Sequence, residues 1–243
     1  MNKIKLSDLF LWILLPVLFL IQGCETSQTG TGAGSGRYKK SSGKMGSSKF
    51  PDTYLNDFSQ YEIGDDELQG MIVLEGDFTV TADGDNKVVT LPANPLDDFG
   101  ILFGPRNTGN LGVQARFKSE RKGRRYPVFG VAMGGVNGYH LKLNPAHKQL
   151  QLTLEGEVMA FTPFQWQNGE WITIRLQREK VKGTENWNIL GKGWHGDQEP
   201  AEWQINFSSS KEESAGKSSV WAAPYSTQPI HIDDLTVIYR EEK

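Results

Sequence analysis

Leu111-Gly112-Val113-Gln114-Ala115-Arg116-Phe117-Lys118 alternates apolar and polar residues over the full length of a β-strand. Successive side chains of a strand point to opposite faces, so the alternation predicts one face in a core and one in solvent. Val113, Ala115 and Phe117 therefore belong to the core side. No other part of the chain shows the two-residue period so clearly.

Comparable runs surround this strand, separated by turn sequences such as Asn144-Pro145-Ala146-His147 and Gln167-Asn168-Gly169-Glu170. They are Val128 to Gly134, Tyr139 to Asn144, Leu150 to Leu154, Trp171 to Leu176, Asn186 to Gly193 and Ile230 to Tyr239. Val128 to Gly134 is continuously apolar, as expected of a central strand covered on both sides. Many short strands, frequent glycine turns and no sustained helical period predict an all-β protein, an antiparallel β-sandwich.

Taking one face of each strand as core predicts a set of buried apolar residues. The set comprises Val113, Ala115, Phe117, Val131, Met133, Leu141, Leu143, Leu150, Leu152, Leu154, Ile172, Ile174 and Leu176. We further expect Trp187 and Trp203 to close the sandwich, as large rings do in β-sheet cores.

The first 23 residues have the pattern of an export signal. Lys3 and Lys5 precede an apolar run, Leu9 to Ile21, that is well short of the roughly 20 residues needed to span a bilayer. The run ends in Leu20-Ile21-Gln22-Gly23-Cys24, which resembles a bacterial lipoprotein signal. That resemblance implies removal of residues 1–23 and lipidation of Cys24, the only cysteine of the chain. It implies a protein anchored by lipid to a membrane of the bacterial cell envelope, on the periplasmic face or at the cell surface.

Residues 24–49 are rich in Gly, Ser, Thr and Lys, and predict a flexible tether. The tether carries five basic residues against the single acid Glu25, whereas residues 50–243, the predicted sandwich domain, carry 19 basic and 27 acidic residues. A basic tether indicates contact with anionic headgroups or wall polymers, and solubility alone explains it equally well. An acidic domain argues against nucleic acid as a partner.

The solvent side of the predicted strands carries long polar side chains: Gln114, Arg116, His140, Lys142, Gln151, Thr153, Thr173 and Arg175. Such a face is often only solvated sheet, but on a concave sheet it lines a groove. Planar amides and guanidinium groups bind sugar hydroxyls, and aromatic rings stack on apolar sugar faces. Arg116, His140, Arg175 and the loop-mouth Trp194 are therefore the candidate carbohydrate-binding residues. Core packing is the alternative for Trp194.

Four segments carry a resemblance that covers nearly all of residues 50–243. They are Asn56-Asp57-Phe58, Leu74 to Val80, Trp187 to Trp194 with Glu199 to Trp203, and the closing Ile232-Asp233-Asp234-Leu235-Thr236-Val237. They resemble the concanavalin A-like lectin/glucanase superfamily, and within it the bacterial jelly rolls related to laminin G-like modules and to 3-keto-disaccharide hydrolase domains. The resemblance implies a jelly-roll sandwich. It does not imply one function, because this superfamily contains glycosidases, lectins and modules with no known ligand.

No catalytic residue can be assigned from the sequence. Retaining glycosidases of this fold carry two glutamates in a Glu-x-Asp-x-x-Glu run, which is absent. Glu155 and Glu157 come nearest, but they flank Gly156, which favours a solvated turn. Hydrolysis of the 3-keto-sugar type is therefore an alternative without assigned residues.

The candidate metal ligands are acidic, since the four histidines lack zinc spacing. Asp83-Gly84-Asp85-Asn86 and Asp233-Asp234 offer clustered oxygens of the kind that Ca²⁺ prefers, and jelly rolls of the superfamily often hold one structural Ca²⁺. The first run is equally good hairpin chemistry, and adjacent aspartates on a strand point to opposite faces. Asp233 or Asp234 is the candidate calcium ligand.

These observations together predict a lipid-anchored envelope domain that recognises a glycan or cell-wall polymer without catalysis. A sugar-processing hydrolase and a protein-binding envelope scaffold are the alternatives. An acidic pair in a deep groove would favour the hydrolase, an aromatic platform with polar neighbours would favour glycan binding, and a flat apolar patch would favour the scaffold.

Overall fold

The structure is a computed structural model that describes residues 53–93, 98–211 and 215–239. The signal, Cys24 and the tether lie outside the described residues, so the lipid anchor and the three-part organisation stay predictions. The described ranges contain β-strands and turns, and no helix in them is long and apolar enough to cross a membrane.

The strands follow one another along the described chain. They are β1 (Thr53–Asn56), β2 (Ile72–Glu75), β3 (Thr79–Asp83), β4 (Asn86–Leu91), β5 (Phe99–Asn107), β6 (Leu111–Ser119), β7 (Val128–Met133), β8 (Tyr139–Asn144), β9 (Gln149–Leu154), β10 (Glu157–Pro163), β11 (Ile172–Lys180), β12 (Trp187–His195), β13 (Ile205–Ser209), β14 (Gly216–Ala223) and β15 (Ile230–Tyr239).

Two antiparallel sheets pack face to face. Sheet A has the order β13-β12-β11-β6-β15-β4-β3, with β1 also pairing with β15, and sheet B has the order β10-β9-β8-β7-β14-β5-β2. Neighbouring strands in each sheet are often distant in sequence, as β6 beside β15 and β7 beside β14 show. The predicted fold class, an all-β antiparallel jelly-roll β-sandwich, is confirmed.

The predicted strands are present, and β11 and β12 extend beyond their predicted ends. β11 continues to Lys180, although its last four residues are polar. Arg178 is nevertheless buried there, because its Nε and Nη2 donate to the carbonyl of Gly109 at 3.2 and 2.7 Å. Its guanidinium also lies 4.9 Å from the centre of the Trp187 ring. Hydrogen bonds and an aromatic cover thus allow a polar strand end to be buried.

The core lies between the sheets and contains the predicted residues. Phe117 of sheet A stacks on Phe129 of sheet B with ring centres 5.0 Å apart. Gly191 of β12 faces Leu141 of β8, and a Cβ at residue 191 would approach Leu141 Cδ1 to 2.8 Å. Every predicted core residue is buried except Leu154, which is partly buried and packs against the core. Trp187 joins the core as predicted.

A β-bulge divides β15 into two halves with different partners. Ile230 to Ile232 pair with β4, and Leu235 to Ile238 pair with β1, whereas β6 runs along both halves. Asp234 has a φ of 52°, and the register shift lies between Asp233 and Thr236. The bulge therefore lets one strand serve β4 and β1 in turn.

Candidate functional site

The four predicted carbohydrate-binding residues divide between the outer faces of the two sheets. On sheet A, Thr173 of β11 pairs with Trp194 of β12 on one side and with Arg116 of β6 on the other. Arg175 lies in the next outward-facing row, where it pairs with Lys192. His140 is on sheet B, between Ala132 of β7 and Thr153 of β9. A sandwich core separates the two outer faces, so His140 cannot share a binding surface with the other three residues.

Part of the outer face of sheet A is a buried and internally bonded network. Glu199 Oε1 contacts Arg175 Nη1 at 2.9 Å and Lys192 Nζ at 2.7 Å. Lys192 Nζ also donates to the carbonyl of Pro200 at 2.7 Å. The Trp203 ring covers both cations, with its centre 4.4 Å from Lys192 Nζ and 5.7 Å from the Arg175 guanidinium. Arg175 and Lys192 are therefore occupied by their own loop.

This network corrects the prediction for Trp203. Its half-buried ring lies over cations on the outer face and does not close the sandwich. Trp194 is 8% exposed on the same face, within 6.0 Å of Lys192 Nζ, so it packs in β12 and does not stand at a loop mouth. Thr173 beside it is also buried.

Arg116 belongs to a second cluster on the same sheet. Its Nη1 donates to Asp234 at 3.1 Å, and its guanidinium lies 4.9 Å from the centre of the Trp171 ring. Lys118 donates to Asp83 at 2.8 Å, and Trp171 Nε1 donates to the same carboxylate at 3.1 Å. The Lys118 hydrogen bond is the main reason that the pKa of Asp83 is lowered. Each charge in the cluster thus has a partner inside the protein.

Asp233 and Asp234, the predicted calcium ligands, both have partners inside the protein. Asn86 Nδ2 donates to Asp233 at 2.8 Å, and Arg116 Nη1 donates to Asp234 at 3.1 Å. Burial, with the nearby Asp234 charge, raises the pKa of Asp233 to about 6. Among the residues described, no three acidic, histidine or cysteine side chains converge. Asp233 or Asp234 as a calcium ligand stays a prediction.

The outer face of sheet B has a different character, because an aromatic ring lies on a glycine. Trp221 of β14 stands between Gly100 of β5 and Gly130 of β7 in one cross-strand row. A Cβ at residue 100 would lie 3.1 Å from the Trp221 ring, so the ring rests directly on the backbone. A Cβ at residue 130 would lie 2.0 Å from the carbonyl oxygen of Leu141, so that position requires glycine. Trp221 itself remains half-buried.

The same row continues with polar side chains. Gly130 pairs with Lys142, Lys142 with Gln151, and Gln151 with Phe161 at the sheet edge. Gln151 Nε2 donates to Gln149 at 2.8 Å. Lys142, Gln149 and Gln151 are half-buried, and Phe161 is exposed. An amide pair, an ammonium group and two rings therefore share one accessible strip.

His140 lies beside Trp221, with ring centres 5.2 Å apart. Its Nε2 is 3.0 Å from the carbonyl of Val136, and because a carbonyl only accepts, Nε2 carries the proton. Nδ1 is then a bare acceptor, and it has no hydrogen-bond partner among the described residues. Burial is the main cause that lowers the pKa of His140 to about 4, so the ring is neutral near pH 7.

The acidic pair weighed for catalysis lies away from this strip. Glu155 and Glu157 flank Gly156 where β9 turns into β10, and both are exposed. Glu155 has a φ of 51° and accepts a hydrogen bond from Lys211 at 2.6 Å. Glu155 thus lies in the solvated turn that Gly156 indicated, and Glu157 is the exposed first residue of β10.

No protein-family model matches the chain, and no curated protein matches it in sequence. Solved structures similar to it include the carbohydrate-binding module CBM66 from Bacillus subtilis, with 12% identity, 72% of this chain and 94% of that chain covered, and a TM-score of 0.40. The metal-free carbohydrate recognition domain of Emp46p has 12% identity, coverage of 72% and 92%, and a TM-score of 0.49. The lectin UEA-II in complex with galactose has 10% identity, coverage of 76% and 97%, and a TM-score of 0.47.

This likeness assigns neither a family nor a ligand to the chain. The resemblance to the concanavalin A-like superfamily, and within it to 3-keto-disaccharide hydrolase domains, stays a prediction.

Trp221 is the residue of this site that the sequence interpretation missed. A signal for it exists, since Trp221 alternates with the core residues Val220 and Ala222 and therefore points outward. A ring on the solvent side of a strand, in line with polar side chains, is the arrangement of an aromatic platform.

Proposed function

We propose that this protein recognises a glycan without catalysis, through the outer face of sheet B. The observation that carries the proposal is the Trp221 ring lying on Gly100 beside Gly130, in a row with Lys142 and Gln151. Within the same proposal, Cys24 carries a lipid that holds the protein at a membrane of the bacterial cell envelope.

The chemistry of the strip suits a polyhydroxylated ligand. A half-buried indole offers a flat apolar surface for the C–H face of a sugar ring. The amides of Gln149 and Gln151 and the ammonium group of Lys142 supply donors and acceptors for hydroxyls at the edge of that ring. The polar clusters of sheet A suit a ligand less well, because their ion pairs are shorter: Lys192 lies 2.7 Å from Glu199, whereas Lys142 of the strip lies 3.9 Å from Asp98.

His140, beside Trp221, has a buried ring nitrogen that a ligand could bind. Because its Nδ1 is buried, a ligand hydroxyl or a water molecule reaches that acceptor only when the side chains around it shift. A buried acceptor without a partner costs about 1–3 kcal/mol, so a ligand that satisfies it gains that amount. His140 is thus proposed to form a wall of the site. Its predicted contact with a sugar forms only when the ligand is bound.

A glycan array tests the proposal with the full chain in a non-ionic detergent, followed by a product assay on each hit. We expect binding without turnover, and loss of binding by at least about tenfold in Trp221→Ala. Trp203→Ala is the matched control, since it removes an equally large half-buried ring from the outer face of sheet A, and it should bind as the wild type does. Turnover of a hit, or equal losses in the two variants, would refute the proposal.

A further inference from the structure

The loop between β6 and β7 concentrates positive charge. Arg121-Lys122-Gly123-Arg124-Arg125, here named the basic tip, places four cations in five residues, and all of them are exposed. The domain around it is acidic, with 19 basic and 27 acidic residues after residue 50. The charge of the basic tip is therefore opposite in sign to the net charge of this domain.

The basic tip is held in a defined shape. Lys122 and Arg125 exchange two backbone hydrogen bonds of 3.0 Å, and Gly123 has a φ of 61°, which is the geometry of a tight hairpin turn with glycine first. Arg121 N donates to Asn168 Oδ1 at 2.7 Å, which fixes the base of the turn. The Arg121 guanidinium also lies 6.0 Å from the centre of the Tyr126 ring. The backbone that carries the four cations is thus ordered.

No described residue forms an ion pair with any cation of the basic tip. Elsewhere cations do pair, as in Lys118 with Asp83 at 2.8 Å and Lys192 with Glu199 at 2.7 Å. Glu120 precedes the tip, but its carboxylate lies by Gly169, where a Cβ would approach Oε1 to 3.7 Å. Four like charges close together in one turn repel one another, so an anionic partner would relieve that repulsion.

The position of the basic tip connects it with the proposed glycan site. The tip is followed by Tyr126 and Pro127, and β7 begins at Val128. Trp221 pairs with Gly130, which is two residues after Val128 and therefore about 7 Å from the start of β7. Lys148, in the β8–β9 turn at the same end of the sheet, is also exposed. A chain molecule that leaves the Trp221 end of the strip and follows β7 toward Val128 would reach the tip.

The tip also lies at the end of the sandwich away from the start of the domain. Thr53 pairs with Ile238, at the Leu111 end of β6, whereas Ile230 pairs with Ser119 just before the tip. The first described residue, Thr53, and the basic tip therefore lie at opposite ends of the sandwich.

We infer that the glycan is an anionic polysaccharide, whose carboxylate or sulfate groups contact the basic tip while its sugar rings lie along the strip at Trp221. This inference rests on the proposed function. It names the substrate class of that same site, and it assigns a binding role to Lys122, Arg124 and their neighbours.

The test compares charged polymers with neutral forms of the same backbone. The full chain in non-ionic detergent is titrated with polygalacturonate and its methyl ester, and with dextran sulfate and dextran. Lys122→Gln/Arg124→Gln is the tip variant. Arg106→Gln/Lys182→Gln is the matched control, because it removes two exposed cations at the opposite end of the sandwich.

We expect tighter binding to a charged polymer than to its neutral form, and a loss of roughly tenfold in the tip variant, since each exposed ion pair contributes up to about 1 kcal/mol. The control should lose less than about twofold, and raising the salt should weaken wild-type binding. Binding of neutral and charged forms with equal affinity would leave glycan recognition standing and overturn the inference. Binding to neither charged polymer would overturn it too.

Two further experiments distinguish a failure of this inference from a failure of the proposed function. In the first experiment, Trp221→Ala could bind the charged polymer normally while the tip variant does not. That result would refute the proposed function and leave the contact between the basic tip and a polyanion standing. The Cys24→Ser chain is also sedimented with vesicles of phosphatidylcholine and phosphatidylglycerol. Vesicle binding that depends on the tip, without binding to either polysaccharide, would replace the inference with a membrane contact.

Discussion

Asp233 is a buried carboxyl at the β15 bulge, and its burial has a consequence for stability. The pKa of Asp233 is raised from 3.8 to about 6, so the folded protein holds this proton more tightly than the unfolded chain does. The corresponding stabilisation is present below about pH 4 and is lost as the pH rises to about 6. Asp233→Asn should remove this dependence, because the amide is neutral at every pH.

The variant should therefore have a higher free energy of unfolding than the wild type at pH 7, by up to about 3 kcal/mol. Urea denaturation of both proteins at pH 4.5 and pH 7 measures the difference. Asp83→Asn is a useful contrast, since the pKa of Asp83 is lowered and its loss should destabilise the protein at pH 7. An Asp233→Asn protein with the wild-type pH profile would contradict the buried, proton-binding carboxyl.

His140 changes stability with pH in the opposite direction to Asp233. Its pKa is lowered from 6.5 to about 4, so the unfolded chain binds the proton more tightly. The stabilisation from a neutral His140 is present above about pH 6.5 and is lost as the pH falls toward 4. His140→Gln should flatten stability in this window, as measured by thermal unfolding at pH 4.5 and pH 7. An unchanged acid sensitivity would mean that His140 is not buried as a neutral ring.

At the scale of elements, two glycines of sheet B allow close contacts: the Trp221 ring lies against Gly100, and β7 lies close to β8 at Gly130. Gly130→Ala would place a Cβ 2.0 Å from a backbone oxygen of β8, and neither strand can move without breaking the ladder. We expect a loss of about 3 kcal/mol or more. Gly112→Ala in β6 is the control, because the nearest atom to its Cβ would be at 3.6 Å, an ordinary contact.

Chemical denaturation of Gly130→Ala and Gly112→Ala gives both values in one experiment. Equal, small losses would show that β7 and β8 are not as close as the structure places them.

The alternation of residues along each strand was enough to predict which side chains are buried, but it does not say which sheet a strand joins. Arg116 and His140 both point outward from their strands, as the pattern predicts. β6 belongs to sheet A and β8 to sheet B, however, so the two residues lie on opposite surfaces. That assignment depends on pairings between strands far apart in sequence, such as β6 with β15, and a local period contains no information about them.

Two other departures have local causes. β11 continues through a polar segment because Gly109 and Trp187, from other parts of the chain, provide partners for Arg178. Trp203 lies outside the core because Arg175 and Lys192 attract its ring. In both cases a cation and an aromatic ring meet only after folding, and their spacing in the sequence does not reveal the contact.

At the scale of the whole molecule, the anchor remains a prediction with a direct test. Cys24→Ser should abolish incorporation of labelled palmitate in a bacterial host and shift the protein from the membrane fraction to the soluble fraction, or leave the signal uncleaved. Several acyl chains are needed for stable anchoring, so the change should be nearly complete. Lys44→Ser, in the tether, is the matched control and should behave as the wild type. Normal acylation of Cys24→Ser would disprove the anchor.

The central claim is that a glycan lies on the Trp221 strip, and the indole N–H signals of the tryptophans report its position directly. The protein labelled with ¹⁵N-tryptophan is titrated with the tightest glycan of the array, with the Trp221 signal assigned from Trp221→Phe. The account predicts that the Trp221 signal shifts and saturates with the ligand, whereas the signals of Trp171 and Trp203 on sheet A do not. Shifts at Trp203 or Trp171 with an unchanged Trp221 signal would contradict it.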